Sequence, residues 1–200
     1  MEVLHCQGTT DPLYKSVQEI RRDGSERVYY DFDEYSYHYV LHLHEKPLGT
    51  LTVHAACDGD LDCQSFYPRA LLERHRERVI GTCKMRIRRG AETPMEALRT
   101  LIRSAWTDQI RRGTRVSIAN SEPRLTAFYR RIGFTYVPGF DFVHPKLGTQ
   151  SQVLVMAADP NHRSFCQDLF VPLPDPVSQK ATIHLCRRSN AIITELAGAA

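Results

Sequence analysis

The sequence predicts one α/β domain in which a mixed sheet carries helices packed against it. The first observation behind this is that segments of two-residue alternation are interleaved with segments of helical spacing. The second is size: 200 residues, 42% of them hydrophobic, can bury one sizeable core but not two full domains. The third is that no internal repeat or low-complexity tract divides the chain. Charged residues at 24% and a slightly negative mean hydropathy exclude both the disordered and the membrane-embedded classes. The charge sum, 26 basic minus 23 acidic residues or +3, is too small for wholesale nucleic-acid binding.

The first thirty residues carry little periodicity beyond a short helix from Ser16 to Arg22. The aromatic and acidic stretch YYDFDEYSYHY follows, and reads as lid or entrance material. Its Tyr29, Tyr30, Phe32, Tyr35, Tyr37 and Tyr39 suit an acyl-chain passage and a core wall equally. YVLHLH alternates from Tyr39, Glu45 to Gly49 supply turn chemistry, and Thr50 to Ala55 alternate again, giving a β-hairpin. Leu41, Leu43, Leu51 and Val53 are expected in the core, with His42, His44, Thr52 and His54 on the other face.

Pro68 opens a helix running to about Arg76, and Val79 to Ile87 form a strand whose Gly81 marks a bulge or a close approach. Thr93-Pro94-Met95-Glu96 has the form of a capping box, and Leu98, Leu101, Ile102, Ala105 and Ile110 recur at helical spacing until Gly113. A strand from Arg115 to Ala119, a short helix from Pro123 ended by Gly133, and strands at Phe134 to Val137 and Gln152 to Met156 complete the order β-β-β-α-β-α-β-β. Residues 161–200 form a C-terminal extension, expected to be helical from Val177 to Leu196 and packed on the 1–160 domain.

Two features carry chemistry. Where the strand ending at Ile87 turns into a helix, Arg86, Arg88 and Arg89 stand beside the open N–H groups and positive dipole end of that helix. This suits an anion such as a pyrophosphate, although a solvated arginine loop has the same spacing. The second is Tyr129, on a short helix that stops at Gly133. Its hydroxyl can protonate a departing thiolate, while core packing is the commoner role of such a tyrosine.

In this order, RRGAETPME and FYRRIGF resemble the acyl-donor pyrophosphate loop and the FYxxxGF motif of the GNAT acyltransferase superfamily, over about Tyr35 to Asp159. Within it, DFDEYSYHYVLH, KPLGTLTVH and RVIGTCKMRIRRG are most similar to the N-acyl amino acid synthases and the related acyl-homoserine-lactone-type synthases. The resemblance implies a mostly antiparallel central sheet with helices on both faces. It also implies transfer of a fatty acyl group, expected to be long-chain, from an acyl-CoA or acyl carrier protein thioester to the amine of an amino acid or peptide by direct attack. On matching positions, Met85 and Ile87 would hold the pantetheine arm, Arg88, Arg89, Gly90 and Ala91 the pyrophosphate, and Tyr129 would be the general acid.

Glu92 stands where the superfamily loop has a second small residue, which makes an acyl carrier protein a reasonable donor. Thr82 and Lys84 replace the carboxylate and arginine of the related synthases, so their carboxylate base has no counterpart on this strand. His54 is the leading candidate to accept the amine's proton, since histidine titrates near neutrality. His42, His44 and His54 make a poor zinc set without a fourth ligand, so no metal is expected. Cys83 has no activating histidine nearby in sequence and is read as structural. The six cysteines form no CxxC pair and are expected as reduced thiols in a cytoplasmic protein, because Met1 to Cys6 lacks signal-peptide character and no run reaches the roughly 20 apolar residues of a membrane span. The rival functions are a short-chain acetyltransferase and a non-catalytic module of the same fold.

Overall fold

The computed structural model describes residues 1–23 and 28–157, so the extension at 161–200 and its expected helix lie outside the described residues. The elements are β1 (Glu2–Gln7), α1 (Tyr14–Arg22), β2 (Tyr37–Leu43), β3 (Lys46–Ala55), α2 (Arg69–His75), β4 (Val79–Ile87), α3 (Pro94–Arg111), β5 (Val116–Ser121), α4 (Thr126–Arg131), β6 (Thr135–Tyr136), β7 (Phe142–Val143) and β8 (Gln150–Ala157). They form a sheet of order β1-β2-β3-β4-β5-β8-β6, with β7 also on β8. Every pairing is antiparallel except β4 with β5. The expected mostly antiparallel sheet is therefore present. Among the described residues no helix is long and apolar enough to cross a membrane.

Alternation along the strands sorts the core onto two faces. Tyr39, Leu41, Leu51, Val53, Ile80 and Leu154 meet the apolar stripe of α3. On the opposite face Val40 meets Val17 and Ile20 of α1, while Val79, Ile118, Val153 and Val155 meet Leu71 and Leu72 of α2. Strand β1 escaped the sequence reading because it is an edge strand with only Cys6 fully buried, which leaves no alternation to detect.

The hairpin turn is tighter than expected. His44 and Glu45 alone make it, both in the left-handed region at φ 48° and 64°, and Pro47 to Gly49 belong to β3. His44 is thus a turn residue and does not share a strand face with His54. Close approach occurs at Gly49 rather than at Gly81: a Cβ on Gly49 would collide with Ile87 Cδ1 and lie 3.1 Å from the Arg86 carbonyl oxygen, whereas at Gly81 it would meet only Leu61 at an ordinary 3.4 Å.

The irregularity in β4 is likewise three residues beyond Gly81. Thr52 pairs with Cys83 and Thr50 with Arg86, so β4 holds one extra residue there, and Lys84 takes φ 51°. The parallel pairing of β4 with β5 stops at Gly81 and Ile118. Beyond that point the β5-facing edge of β4 has no strand partner among the described residues.

Replacing Gly49 by Val inserts atoms between β3 and the Arg86–Ile87 backbone. We expect a loss of about 1–3 kcal/mol in urea unfolding; an unchanged midpoint would show that the strands separate without cost.

Candidate active site

The site is the opening that this early end of pairing leaves between β4 and β5. A cleft of about 250 Å3 occupies it, with Thr82, Cys83, Lys84 and Met85 on one wall and Asn120 and Tyr129 on another. Arg21, Tyr29, Asp62 and His144 close it on the face that carries α1 and α2.

A buried charged cluster fixes the wall at Lys84. Asp33 Oδ2 accepts bonds from the Tyr14 hydroxyl at 2.6 Å and Arg21 Nη1 at 2.5 Å, while Oδ1 accepts from Lys84 Nζ at 2.9 Å. Burial alone would raise the Asp33 carboxyl, but Arg21 and then Lys84 outweigh it and hold the pKa below the usual range. Arg21 also donates to Thr52 Oγ1. Thr52 in turn lies 3.0 Å from His38 Nδ1, and His38 Nε2 lies 3.1 Å from the Asp33 carbonyl oxygen. A carbonyl can only accept, so His38 carries its proton on Nε2 and accepts from Thr52 at Nδ1. Two cations thus face one anion, and the Nε–H of Arg21, a residue only 4% exposed, has no partner among the described residues.

His54, the expected proton acceptor, does not stand open to a substrate. It is wholly buried, its Nδ1 accepts the Asp62 N–H at 3.3 Å, and its Nε2 therefore carries a hydrogen 3.4 Å from Cys83 Sγ. Burial, and then the charge of Lys84, lower its pKa to about 3. A histidine whose lone pair is already engaged is a poor base for a substrate. Its structural effect is to hold Asp62 at the cleft. The fold does bring a histidine to Cys83, contrary to expectation, yet that histidine acts as a donor, and burial pushes the Cys83 thiol up to about 12. The two do not form a nucleophilic pair.

Asp62, Cys63 and His144 bring one oxygen, one sulfur and one nitrogen within 4.8 Å of one another, all buried. His144 Nδ1 accepts the N–H groups of Lys146 and Leu147 at 3.2 and 3.3 Å, which leaves the ring hydrogen on Nε2, facing Tyr29 and Cys63. A neutral histidine in that tautomer has no lone pair for an ion, so the group is a hydrogen-bonded set. The zinc set weighed from sequence is not assembled either, since His44 lies in the hairpin turn and His54 inside the fold.

Tyr129 stands where the sequence placed it, with its ring edge-on to Phe128 and Phe134 and its side chain on the cleft wall. Burial pushes its phenol up to about 12, so it is protonated at neutral pH. Met85 lines the cleft, and Ile87 pairs with Gly49 farther along β4. In the following loop Arg88 pairs with Glu19 of α1 and Arg86 donates to the Asp23 carbonyl. Arg89 and Gly90 are exposed, Ala91 is half-buried, and Gly90 takes φ 79° with open space around it. Thr93 sits at the helix cap but its side chain makes no capping bond, so the expected capping box is not closed. The first-turn N–H groups of α3 are left to other acceptors. Of the six aromatics, Tyr37 and Tyr39 belong to the core, while Tyr29 lines the cleft.

The family model for the N-acyl amino acid synthase FeeM matches residues 13–159. No curated protein matches this chain. Among solved structures, FeeM from uncultured soil microbes is similar at 15% identity and TM-score 0.67, covering 82% of this chain and 100% of its own. The acyl-homoserine-lactone (AHL) synthase LasI is similar at 13% and 0.59, covering 87% and 98%. An acyl-CoA N-acyltransferase from Pseudomonas aeruginosa is similar at 13% and 0.56, covering 78% and 100%. At these identities the structural likeness shows the GNAT-like fold.

The buried histidines give a stability test. His38 and His54 are neutral in the fold, with pKa values lowered to about 4 and about 3, chiefly by burial. The unfolded chain protonates them below about 6.5 and so binds more protons over that window, which makes stability fall as pH drops, by about 1.4 kcal/mol per pH unit for each group. Urea midpoints should therefore fall steadily between about pH 7 and about pH 5; a flat profile would contradict the assigned burial.

Proposed function

The chain belongs to the N-acyl amino acid synthase FeeM family, and from that premise we propose that this N-acyltransferase moves a fatty acyl group, long-chain by expectation, from an acyl-CoA or acyl carrier protein thioester to the amine of an amino acid or a peptide. The observation that carries the reading is the opening between β4 and β5 with Tyr129 on its wall. A thioester arm laid in it meets the unpaired edge of β4, whose backbone groups bind the arm and steady the oxyanion. Met85 and Ile87 lie along that edge. Arg89, Gly90, Ala91 and the start of α3 take the phosphates, with Arg88 available once it leaves Glu19.

The acceptor nitrogen attacks the carbonyl directly, which makes the reaction a matter of positioning. Tyr129 gives its proton to the departing sulfur. A phenol near 12 is a weaker acid than a thiol, so the transfer is completed by a proton from the attacking nitrogen returning to Tyr129. The excess positive charge at Arg21 and Lys84, with an Arg21 N–H unengaged, supports an acceptor that carries a carboxylate, as an amino acid does.

Tyr129→Phe should lower kcat by about 100-fold or more while donor binding changes little; an unchanged turnover number removes Tyr129 from the mechanism. In a panel of thioesters from acetyl to palmitoyl, the long donors should be preferred, and a preference for acetyl would assign a short-chain enzyme instead.

A further inference from the structure

Asp62 is an unusual residue in this fold. It is only 6% exposed, and among the described residues no cation pairs with it. Buried carboxylates are ordinarily matched by a positive group, because leaving one alone in a low-dielectric site is costly. Its Oδ2 accepts the Tyr29 hydroxyl at 2.7 Å, but among the described residues its Oδ1 meets only the weak thiol donor of Cys63 at 3.6 Å. A carboxylate can accept about four bonds, so Oδ1 has capacity left.

Its position is equally informative. Asp62 lines the cleft that holds Tyr129, and it also lines a second, outer cavity of about 720 Å3 bounded by Phe32, Tyr67, Leu72 and Arg76. It therefore stands on the wall between the reaction space and an open cavity. It shares the lining of the inner cleft with Arg21 and Lys84, whose two positive charges Asp33 balances only in part.

We propose that Asp62 binds the ammonium group of the acceptor and takes its proton, releasing it to the outer cavity. This rests on the acyltransfer reading given above. One N–H bond of the ammonium breaks, its electron pair stays on nitrogen, and the proton moves to Asp62 Oδ1. The nitrogen forms the C–N bond, the C–S bond breaks with its pair on sulfur, and Tyr129 protonates that sulfur. A second proton from nitrogen restores Tyr129, and the proton on Asp62 leaves through the outer cavity. The net products are an amide, a thiol and one proton.

The neighbours of this carboxylate agree with that role. Tyr29 and Cys63 are pushed far above their ordinary pKa values, first by burial, so both stay protonated donors. His144 is lowered by burial and His54 is held neutral with its lone pair on the Asp62 N–H, so neither takes the proton. Cys83, Tyr35 and Tyr67 lie farther off, and all three are raised by burial. Asp62 is the acceptor that this set leaves, and it supplies from the segment after β3 the carboxylate that β4 lacks.

The test is Asp62→Asn, assayed for thiol release with palmitoyl-CoA and each of the twenty common amino acids. At about pH 7 the variant should lose about 100-fold or more in kcat/KM for the acceptor, with the donor KM held within about twofold. The loss should shrink by about tenfold per pH unit toward the pKa of the acceptor's amine, since solvent then removes the proton that Asp62 took. A purely structural aspartate would give a loss independent of pH. Should the variant fold poorly, the wild type supplies a second readout: an α-hydroxy acid matching the best amino acid should compete at least about tenfold more weakly than the amine. A pH-independent loss, wild-type rates in the variant, or equal competition by the hydroxy acid overturns the assignment of Asp62 alone. Absence of transfer by the wild type from palmitoyl-CoA and from a palmitoyl-loaded carrier protein alike overturns the acyltransfer reading, and this proposal with it.

Discussion

The ion cluster of Asp33 with Arg21 and Lys84 is the constraint on which the site depends. Lys84 occupies the extra position of the β4 bulge in a left-handed conformation, which costs a residue with a Cβ about 1–2 kcal/mol. Its ammonium is held by Asp33 and by the Asp31 carbonyl, and it lies over the Tyr29 ring at 4.7 Å. Removing one member of such a buried set costs several kcal/mol, enough to offset the strained backbone. β4 and β5 part after their three paired positions, and the bulge lies in the stretch of β4 that follows and lines the cleft. Without that divergence the sheet would be continuous there, and no thioester could lie in it.

The same cluster gives the cleft its polarity. Asp33 balances only one of the two cations beside it, and the residual positive charge and Asp62 line the same small cleft. On the proposed reading a zwitterion would satisfy both ends, its carboxylate toward Arg21 and Lys84 and its ammonium at Asp62. A neutral amine would leave the cationic end unmatched. The charges lining the cleft are the support, besides the family match, for the amino acid acceptor proposed above.

Much of the fold was legible in the sequence because it rests on periodicity. The long stripe of α3, the hairpin and the glycine stop after α4 are local signals, and each is found within a few residues of its expected place. Strand β1 and the two-residue strand β7 were not, since neither shows an alternation that burial would print. The bulge was sought at Gly81, the residue that tolerates one. It lies instead at Lys84, where tertiary ion pairing overrides local preference.

For the site, the order of an arginine turn, a long helix and a short tyrosine helix is legible because those features sit on one continuous stretch of chain, and Tyr129 lines the cleft between β4 and β5. The proton-accepting side was out of reach. Asp62, Tyr29, Cys63 and His144 come from three separate segments and meet only in the fold, and nothing in the sequence separates Asp62 from its neighbours Asp58 and Asp60. His54 has the chemistry of a base, but burial and the bond from the Asp62 N–H, neither visible in the sequence, engage its lone pair. The aromatic stretch from Tyr29 divides between cleft and core in a way that composition does not encode.

The most direct test is a crystal structure of the chain with a non-cleavable thioether analogue of an acyl-CoA. The sulfur is expected in the opening between β4 and β5 beside Tyr129, with the phosphates against the 88–93 loop. Closed strands, or a ligand seated elsewhere with that opening vacant, would contradict it.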